Sequence, residues 1–198
     1  MESRSSSAEL DALFADHRER LKRMVQLRMD QRVQGRIDAS DVIQEAFVEA
    51  AQRFEKYERE REVSPFVWLR FLTAQKLIQL QRRHLGTLGR SVKQELQAGA
   101  GGVPNATSAV LAAQLVGNLT SPSHAVSREE QRRRVQQALD ELEVIDREVL
   151  ALRHFEQLTN TETAEVLEIA PEAAYKRYIR ALRRLKQTLT SDADSFDG

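Results

Sequence analysis

Apolar residues recur at every third or fourth position in the first third of the chain, which is the spacing that gives an α-helix one apolar side. The first stripe predicts a helix over residues 8–33, which Gly35 ends. Its positions are Leu10, Leu13, Phe14, His17, Leu21, Met24 and Val25.

Two more helices follow at short intervals. Asp38 and Ser40 are candidates for the N-cap of the second helix, because their short side chains can accept hydrogen bonds from free N–H groups. Its stripe comprises Val42, Ile43, Ala46, Phe47, Ala50, Ala51 and Phe54. After the charged stretch 55–62, Ser64-Pro65 predicts the start of a third helix that fades after Arg83. The third stripe comprises Phe66, Trp68, Leu69, Leu72, Leu77 and Leu80.

The composition changes over residues 98–127, which begin with several glycines and Pro104 and end in Thr-Ser-Pro-Ser. Such a stretch is typical of a linker. Residues 109–116 within it are too apolar for a solvated tether, so we expect them to form a short helix or to dock on a partner. Helix signals resume at Ser127, with Glu130 placed as in a capping box.

These patterns predict an all-α protein with two small helical domains joined by a flexible linker. The predicted domains are residues 1–95 and 128–190, with the linker at 96–127 and a disordered acidic tail at 191–198. No segment shows the alternation of apolar and polar residues that predicts a half-buried strand.

Residues 159–186 have the pattern of a helix-turn-helix. Thr159 and Glu162 match a capping box, Glu168-Ile169-Ala170 is the turn, and Pro171 starts a second helix. The second helix has a buried stripe made of Ala174, Tyr178, Ala181, Leu182 and Leu185. Basic residues cover its other faces, which suits insertion into the major groove of DNA. The alternative is a plain helical corner whose cations are solvated.

Composition narrows the class of protein. The chain has no cysteine, which excludes disulfides and thiolate metal sites and favours a reducing cytoplasm. No run approaches the roughly 18 apolar residues of a membrane span, and residues 1–8 lack the apolar core of a signal peptide. Four scattered histidines and the lack of a phosphate-binding glycine loop argue against an enzyme, a metal or a cofactor.

Charge is segregated along the chain although the formal net charge is zero. Residues 66–93 hold six basic side chains and no acidic one, and residues 171–187 hold six basic side chains against Glu172 alone. Residues 38–62 hold eight acids against four bases. Salt screens charges beyond about 8–10 Å, so a phosphate responds to the local block and not to the total.

The order of several motifs resembles the sigma-70 superfamily, specifically its short extracytoplasmic-function (ECF) members. Asp38-Ala-Ser-Asp-Val-Ile-Gln-Glu-Ala-Phe47 is similar to the family's region 2.2, and Phe66-Val-Trp-Leu-Arg70 to the core of regions 2.3–2.4. Residues 139–155 resemble region 4.1, and the helix-turn-helix, with Arg177-Tyr-Ile-Arg-Ala181, resembles region 4.2.

The resemblance implies a cytoplasmic, non-enzymatic sigma factor that binds core RNA polymerase and directs it to promoters. Region 2 would bind the −10 element and region 4 the −35 element of promoter DNA. The implied protein contacts are the clamp of the largest polymerase subunit and the flap of the second-largest subunit. An anti-sigma factor is a further partner that the resemblance allows.

Three sets of residues are implied in these roles. The acidic second helix would hold the polymerase contacts, namely Asp38, Asp41, Gln44, Glu45 and Glu49. The third helix, taken to expose aromatic rings beside cations, would bind the −10 element through Phe66, Trp68, Arg70, Gln75, Lys76, Arg82 and Arg83. The −35 element would meet Glu172, Ala173, Tyr175, Lys176, Arg177, Arg180 and Arg183.

Several positions depart from the family pattern or stay ambiguous. Pro65, Gln75 and Ala173-Ala174 replace residues that are frequent in the family, which leaves the promoter sequence open. Segment 55–64 resembles the family's loop that captures a flipped base. Trp68 either stacks on such a base or belongs to the core.

Two other functions fit parts of the pattern. A helix-turn-helix regulator without polymerase contact would share the second module but has no need of the region 2 motifs. A helical adaptor that binds protein helices would show no salt-sensitive binding to DNA.

Overall fold

The computed structural model describes residues 2–30, 32–85, 105–117 and 125–194. All regular elements in these ranges are helical, which confirms the predicted fold class. The chain divides into two compact units, Met1–Asn105 with Glu165–Glu168, and Ala106–Ala164 with Ile169–Gly198.

The first unit is a bundle of three helices, α1 (Glu2–Arg28), α2 (Ala39–Glu60) and α3 (Pro65–Leu85), each of which packs on the other two. The predicted stripes face inward, except that Ala51 of the second stripe is exposed. Residues of the loop between α1 and α2 complete one core cluster, which comprises Met24, Val25, Met29, Val33, Ile37, Ala39, Val42, Ala74, Leu77 and Leu80.

The start signals of α2 and α3 are confirmed. The N-cap of α2 is Asp38, whose Oδ1 accepts a hydrogen bond of 2.6 Å from the Ser40 N–H. Pro65 is the first residue of α3, and the Trp68 N–H donates to the Ser64 carbonyl at 3.0 Å.

Several helix ends differ from the prediction, and α1 begins at Glu2 instead of residue 8. Helix α1 ends at Arg28 instead of residue 33, since Met29, Val33 and Ile37 leave the helix to enter the core. Helix α2 continues to Glu60, through most of the charged stretch expected to join two helices. Pairs of opposite charge four residues apart, Glu55 with Arg59 and Lys56 with Glu60, suit a solvated helix end.

The second unit contains α4 (Ser108–Gly117), α5 (Ala125–Asp140), α6 (Val144–Leu150), a π-helical turn (Ala151–Phe155) and α8 (Pro171–Asp194). It also contains the start of α7 (Asn160–Leu167), whose last three residues fall in the first unit. Helix α4 lies within the stretch predicted as a linker, and the short helix expected at 109–116 is confirmed. It packs on α5 and buries Leu111, Ala112 and Val116, so this part of the stretch belongs to the second unit.

Helix α8 also extends beyond the prediction. It continues to Asp194, into the segment expected to be a disordered tail from residue 191. The Thr190 hydroxyl donates to the Lys186 carbonyl at 3.0 Å, a bond that follows the helical turn. The rest of the predicted tail, residues 195–198, lies outside the described residues.

The turn between α7 and α8 holds Glu168 in the left-handed region, with φ of 53°. This conformation costs a residue with a Cβ about 1–2 kcal/mol, whereas glycine adopts it freely and loses about 0.5–1 kcal/mol more in chain entropy. We therefore expect Glu168→Gly to raise the free energy of unfolding of the chain by about 0.5–1 kcal/mol. Urea denaturation of the full chain measures this change in the free energy of unfolding.

Glu129→Gly is the matched control, since Glu129 is an exposed residue inside α5. Glycine in a right-handed helix lowers stability by about 1 kcal/mol. If Glu168→Gly lowers the free energy of unfolding, as the control does, the conformation assigned to the turn is wrong.

Candidate functional site

The helix-turn-helix is fixed by hydrogen bonds at its corners. The predicted capping box is complete, because the Glu162 N–H donates to Thr159 Oγ1 at 3.1 Å and the Thr159 N–H donates to Glu162 Oε2 at 2.7 Å. Asn160 Nδ2 donates to the Pro171 carbonyl at 2.8 Å, which ties the first residue of α7 to the first residue of α8. The start of α8 is thus held before any ligand arrives.

Helix α8 buries one side and exposes the opposite one. Ala174 and Ala181 are fully buried and define the inner side. Successive side chains are rotated by roughly 100° about the helix axis. Measured from the buried side, Glu172, Lys176 and Arg183 lie roughly 150–170° away, which is nearly opposite. Tyr175 and Arg180 lie at the two flanks of this outer face, roughly 110° from the buried side, and both are exposed. Five of the seven residues predicted to meet the −35 element therefore share a solvent-exposed surface.

Arg177 is different, since it lies only roughly 50° from the buried side of α8. Its Nη1 donates to Asp146 Oδ1 at 3.0 Å and lies 3.7 Å from Glu143 Oε2. Asp146, in the first turn of α6, is fully buried, with 0% of its surface exposed. Burying a carboxylate is costly without a paired cation. The guanidinium of Arg177 thus joins α8 to α6. Ala173, the last of the seven residues predicted to meet the −35 element, is half-buried.

Tyr178, the next residue of α8, is also held by a contact with an arginine side chain. The guanidinium of Arg153 lies 5.2 Å from the centre of the Tyr178 ring, and its Nη1 donates to the Leu158 carbonyl at 2.8 Å. Arg177 and Tyr178 therefore hold the helix, while the residues at 172, 175, 176, 180 and 183 are left for contact with a ligand.

In the first unit, an aromatic stack joins the end of α2 to the start of α3. The rings of Tyr57 and Trp68 are nearly parallel, at 15°, with centres 4.3 Å apart, and Phe54 lies 6.0 Å from Trp68. Burial raises the pKa of Tyr57, whose hydroxyl donates to the Val63 carbonyl at 3.0 Å. Trp68 is half-buried. Its ring therefore packs against Tyr57 and also keeps some surface exposed to solvent.

A pocket of about 210 Å³ opens beside this stack. It is lined by aromatic and charged side chains, namely Arg53, Lys56, Tyr57, Glu60, Arg61, Glu62 and Trp68. Arg61 ends α2 in the left-handed conformation, with φ of 38° and ψ of 46°. Half of segment 55–64, which resembles a base-capturing loop, therefore borders a pocket that is lined by two aromatic rings, three cations and two carboxylates.

The other residues that were expected to contact the −10 element do not line this pocket. Phe66 and Arg70 are buried, with 1% and 2% of their surface exposed, so the expectation that α3 presents them at the surface is wrong. The Arg20 guanidinium covers the Phe66 ring at 3.5 Å. Gln75 is half-buried, whereas Arg82 and Arg83 are exposed at the end of α3.

Lys76 and Glu49, which were expected to meet DNA and polymerase respectively, pair with each other at 2.9 Å. Their side chains are only 16% and 19% exposed. The hydrogen bond from Lys76, together with the charge of Arg53, holds the pKa of Glu49 below its usual range. This pair links α2 to α3 within the bundle, so both charges are already partnered and only partly exposed.

The other four residues expected to meet polymerase lie at or near the surface, at the start of α2. Asp38, Asp41 and Gln44 are exposed and Glu45 is half-buried. The hydrogen bond from the Ser40 N–H holds the pKa of Asp38 below its usual range. This acidic face of α2, defined here as Asp38, Asp41, Gln44 and Glu45, borders a groove of about 490 Å³ between α1 and α2.

The groove has an apolar centre. Its lining comprises Asp11, Phe14, Ala15, Arg18, Ile43, Gln44, Phe47 and Val48. The rings of Phe14 and Phe47 meet edge to face at 5.0 Å, and Val48 is 59% exposed. An apolar centre beside polar side chains is the arrangement found at protein interfaces.

Three residues that position these surfaces were not found from the sequence. Tyr57 continues the stripe of α2 three residues after Phe54, so extending the same period would have found it. Asp146 and Asn160 gave no local signal, because their partners lie 31 and 11 residues away in sequence.

Within the described ranges, no cluster of three or more histidine or acidic side chains could hold a metal ion. None of the helices there combines the length and apolarity needed to cross a membrane.

Comparisons with known proteins cover both units. Residues 13–85 match the family described as Sigma-70 region 2, and residues 132–185 match the family described as Sigma-70, region 4. A solved structure, "Structure of CnrH in complex with the cytosolic domain of CnrY", is similar over 96% of this chain and 96% of its own, with 19% sequence identity and a TM-score of 0.48. No curated protein sequence matches the chain.

The ion pair of Arg177 yields a direct test of the site's framework. We expect Arg177→Ala to lower the free energy of unfolding of the second unit by about 3 kcal/mol, because it leaves the buried carboxylate of Asp146 without its cation. Urea denaturation of the full chain, followed by circular dichroism, measures the change.

Arg183→Ala is the control on the same helix, because Arg183 is exposed. It should change stability by less than about 0.5 kcal/mol. Equal stability for the two variants would show that Arg177 does not hold α8 on α6.

Proposed function

Since the chain belongs to the sigma-70 family, with region 2 followed by region 4, we propose that it is a sigma factor of the short ECF type. In this proposal it binds core RNA polymerase in the cytoplasm and directs it to promoters, with the first unit on the −10 element and the second on the −35 element. The observation that carries the proposal is the presence of both regions, in order, in 198 residues.

The outer face of α8 supports the −35 role. A helix that follows a tight turn and displays cations can enter the major groove, where its first turns reach the base edges. Lys176, Arg180 and Arg183 are exposed, and such side chains make the phosphate contacts that give affinity or the base contacts that give specificity. Arg177, by contrast, is already committed to Asp146.

The pocket beside Trp68 supports the −10 role. Aromatic rings stabilise unstacked bases by about 1–3 kcal/mol each, and the pocket places Trp68 next to Arg53, Lys56 and Arg61. One face of the Trp68 ring is covered by Tyr57. We propose that its remaining exposed surface stacks against a base that has left the duplex, while the cations meet the adjacent phosphates. Arg82 and Arg83 are exposed near the other end of α3, roughly 20 Å along the helix from Trp68, and we propose that they meet phosphates farther along the DNA.

The acidic face of α2 supports the polymerase contact. It presents exposed carboxylates beside the apolar groove that contains Phe14, Phe47 and Val48. Opposite charges across an interface speed association and select the partner, whereas apolar groups at its centre supply most of the binding energy. We propose that this face docks on a basic surface of the polymerase clamp. The flap of the second-largest subunit is the proposed contact of the second unit.

Run-off transcription with core polymerase tests the proposal as a whole. Core polymerase alone should start at random positions or ends, and the full chain should create specific start sites that share sequence near −10 and −35. A chain that shifts DNA by itself but never joins core polymerase would instead be a helix-turn-helix regulator. Unchanged start sites would refute the sigma role.

The acidic face yields a charge-reversal prediction. We expect Asp41→Lys combined with Glu45→Lys to abolish co-elution with core polymerase, because two like charges would then face a basic partner surface. Gel filtration of the mixture measures it. Asp16→Lys combined with Glu19→Lys is the matched control, since both acids are exposed on α1. Co-elution that is equally strong for both double variants would exclude α2 as the docking face.

The pocket yields a second prediction. We expect Trp68→Ala to weaken binding of the holoenzyme to single-stranded −10 DNA by about 5- to 150-fold, which corresponds to the loss of about 1–3 kcal/mol of stacking. Trp68→Phe should keep most of the affinity because it keeps a ring. Competition binding with fluorescent oligonucleotides measures both. Similar affinities for wild type and Trp68→Ala would place the captured base elsewhere.

A further inference from the structure

Tyr175 presents a large aromatic ring to solvent on the helix that we propose enters the DNA groove. It is 55% exposed, one of the few large hydrophobic residues in the described part of the chain that is not covered. It lies in the second turn of α8, four residues after Pro171. An exposed tyrosine at this position contributes little to the fold.

The neighbours of Tyr175 define its surroundings. Glu172 precedes it by three residues and Lys176 follows it, and both are exposed. The adjacent residues that do hold the helix are Arg177, on Asp146, and Tyr178, under Arg153. Arg177 lies on the side of α8 that turns away from Tyr175, and Tyr178 lies between Tyr175 and the buried side, so the Tyr175 ring is left at the flank of the outer face.

The major groove of DNA presents one apolar group that such a ring can contact. Thymine presents its C5-methyl group there, and apolar side chains contact it. The residues in the first turns of a recognition helix are those that reach base edges. Phosphates attract cations, which α8 supplies separately at Lys176, Arg180 and Arg183.

We infer that Tyr175 is a specificity-determining residue that reads the methyl group of a thymine in the −35 element. This inference rests on the proposed function. The ring, not the hydroxyl, makes the contact, so the discrimination comes from burial of one methyl group. A buried methyl or methylene contributes about 0.8 kcal/mol, which corresponds to about a fourfold change in binding.

The test uses holoenzyme made from the full chain and core polymerase. A promoter library randomised over the −35 element is first enriched by binding. Each thymine of the enriched element, on either strand, is then replaced singly by deoxyuridine, which removes the methyl group and keeps the hydrogen-bonding edge. Dissociation constants are measured by competition at one fixed salt concentration for wild type, Tyr175→Ala, Tyr175→Phe and Lys176→Ala.

We expect one position at which deoxyuridine weakens wild-type binding about fourfold. Tyr175→Phe should keep this ratio, Tyr175→Ala should bring it to about one, and Lys176→Ala should weaken all duplexes alike while keeping the ratio. Because Tyr175 is exposed, its replacement leaves the packing of α8 in place, which the urea midpoint of each variant verifies.

Three results would overturn the inference. Deoxyuridine could cost nothing at any position, or Tyr175→Ala could retain the discrimination. Tyr175→Phe could lose as much affinity as Tyr175→Ala, which would mean that the hydroxyl contacts a phosphate. If the library shows no enrichment near −35 although the holoenzyme initiates transcription, the proposed −35 role fails and this inference fails with it.

Discussion

The ion pair between Asp146 and Arg177 is the constraint on which the second unit depends. A carboxylate with no exposed surface must have a cation beside it, and the cation that reaches Asp146 belongs to α8. Fixing that one side chain fixes the rotation of the helix about its axis. The outer face with Glu172, Lys176 and Arg183 follows from this rotation, since the positions on a helix cannot be chosen independently.

The same division between internal and displayed charge governs the first unit. Lys76 and Glu49 pair with each other between α2 and α3, and Arg70 is buried, so these three charges are less accessible to a partner than charges at the surface. Asp38 and Asp41 stay exposed on α2, and Arg82 and Arg83 stay exposed on α3. A chain with a formal net charge of zero can therefore offer an acidic surface to a protein and a basic surface to a nucleic acid, since each partner meets only nearby charges.

Local signals in the sequence were sufficient for the helices and for the helix-turn-helix. The capping box at Thr159 and the start at Pro65 depend on neighbouring residues, and both are confirmed. The exposure of single charged or aromatic side chains was harder to predict, because it depends on distant partners. The spacing of Phe66 fits a core residue as well as a DNA-contacting one, and its burial beneath His17 and Arg20, both distant in sequence, separates the two. The role of Arg177 likewise depends on Asp146, 31 residues away.

In the proposed function, two helical units of one chain bind the same promoter at two places while polymerase is attached. Hydroxyl-radical footprinting of a promoter bound by core polymerase with the full chain is the test of this arrangement. Two separate protected stretches are expected, near −35 and near −10, and core polymerase alone should produce neither. A footprint identical to that of core polymerase, or protection at one element only, would contradict it.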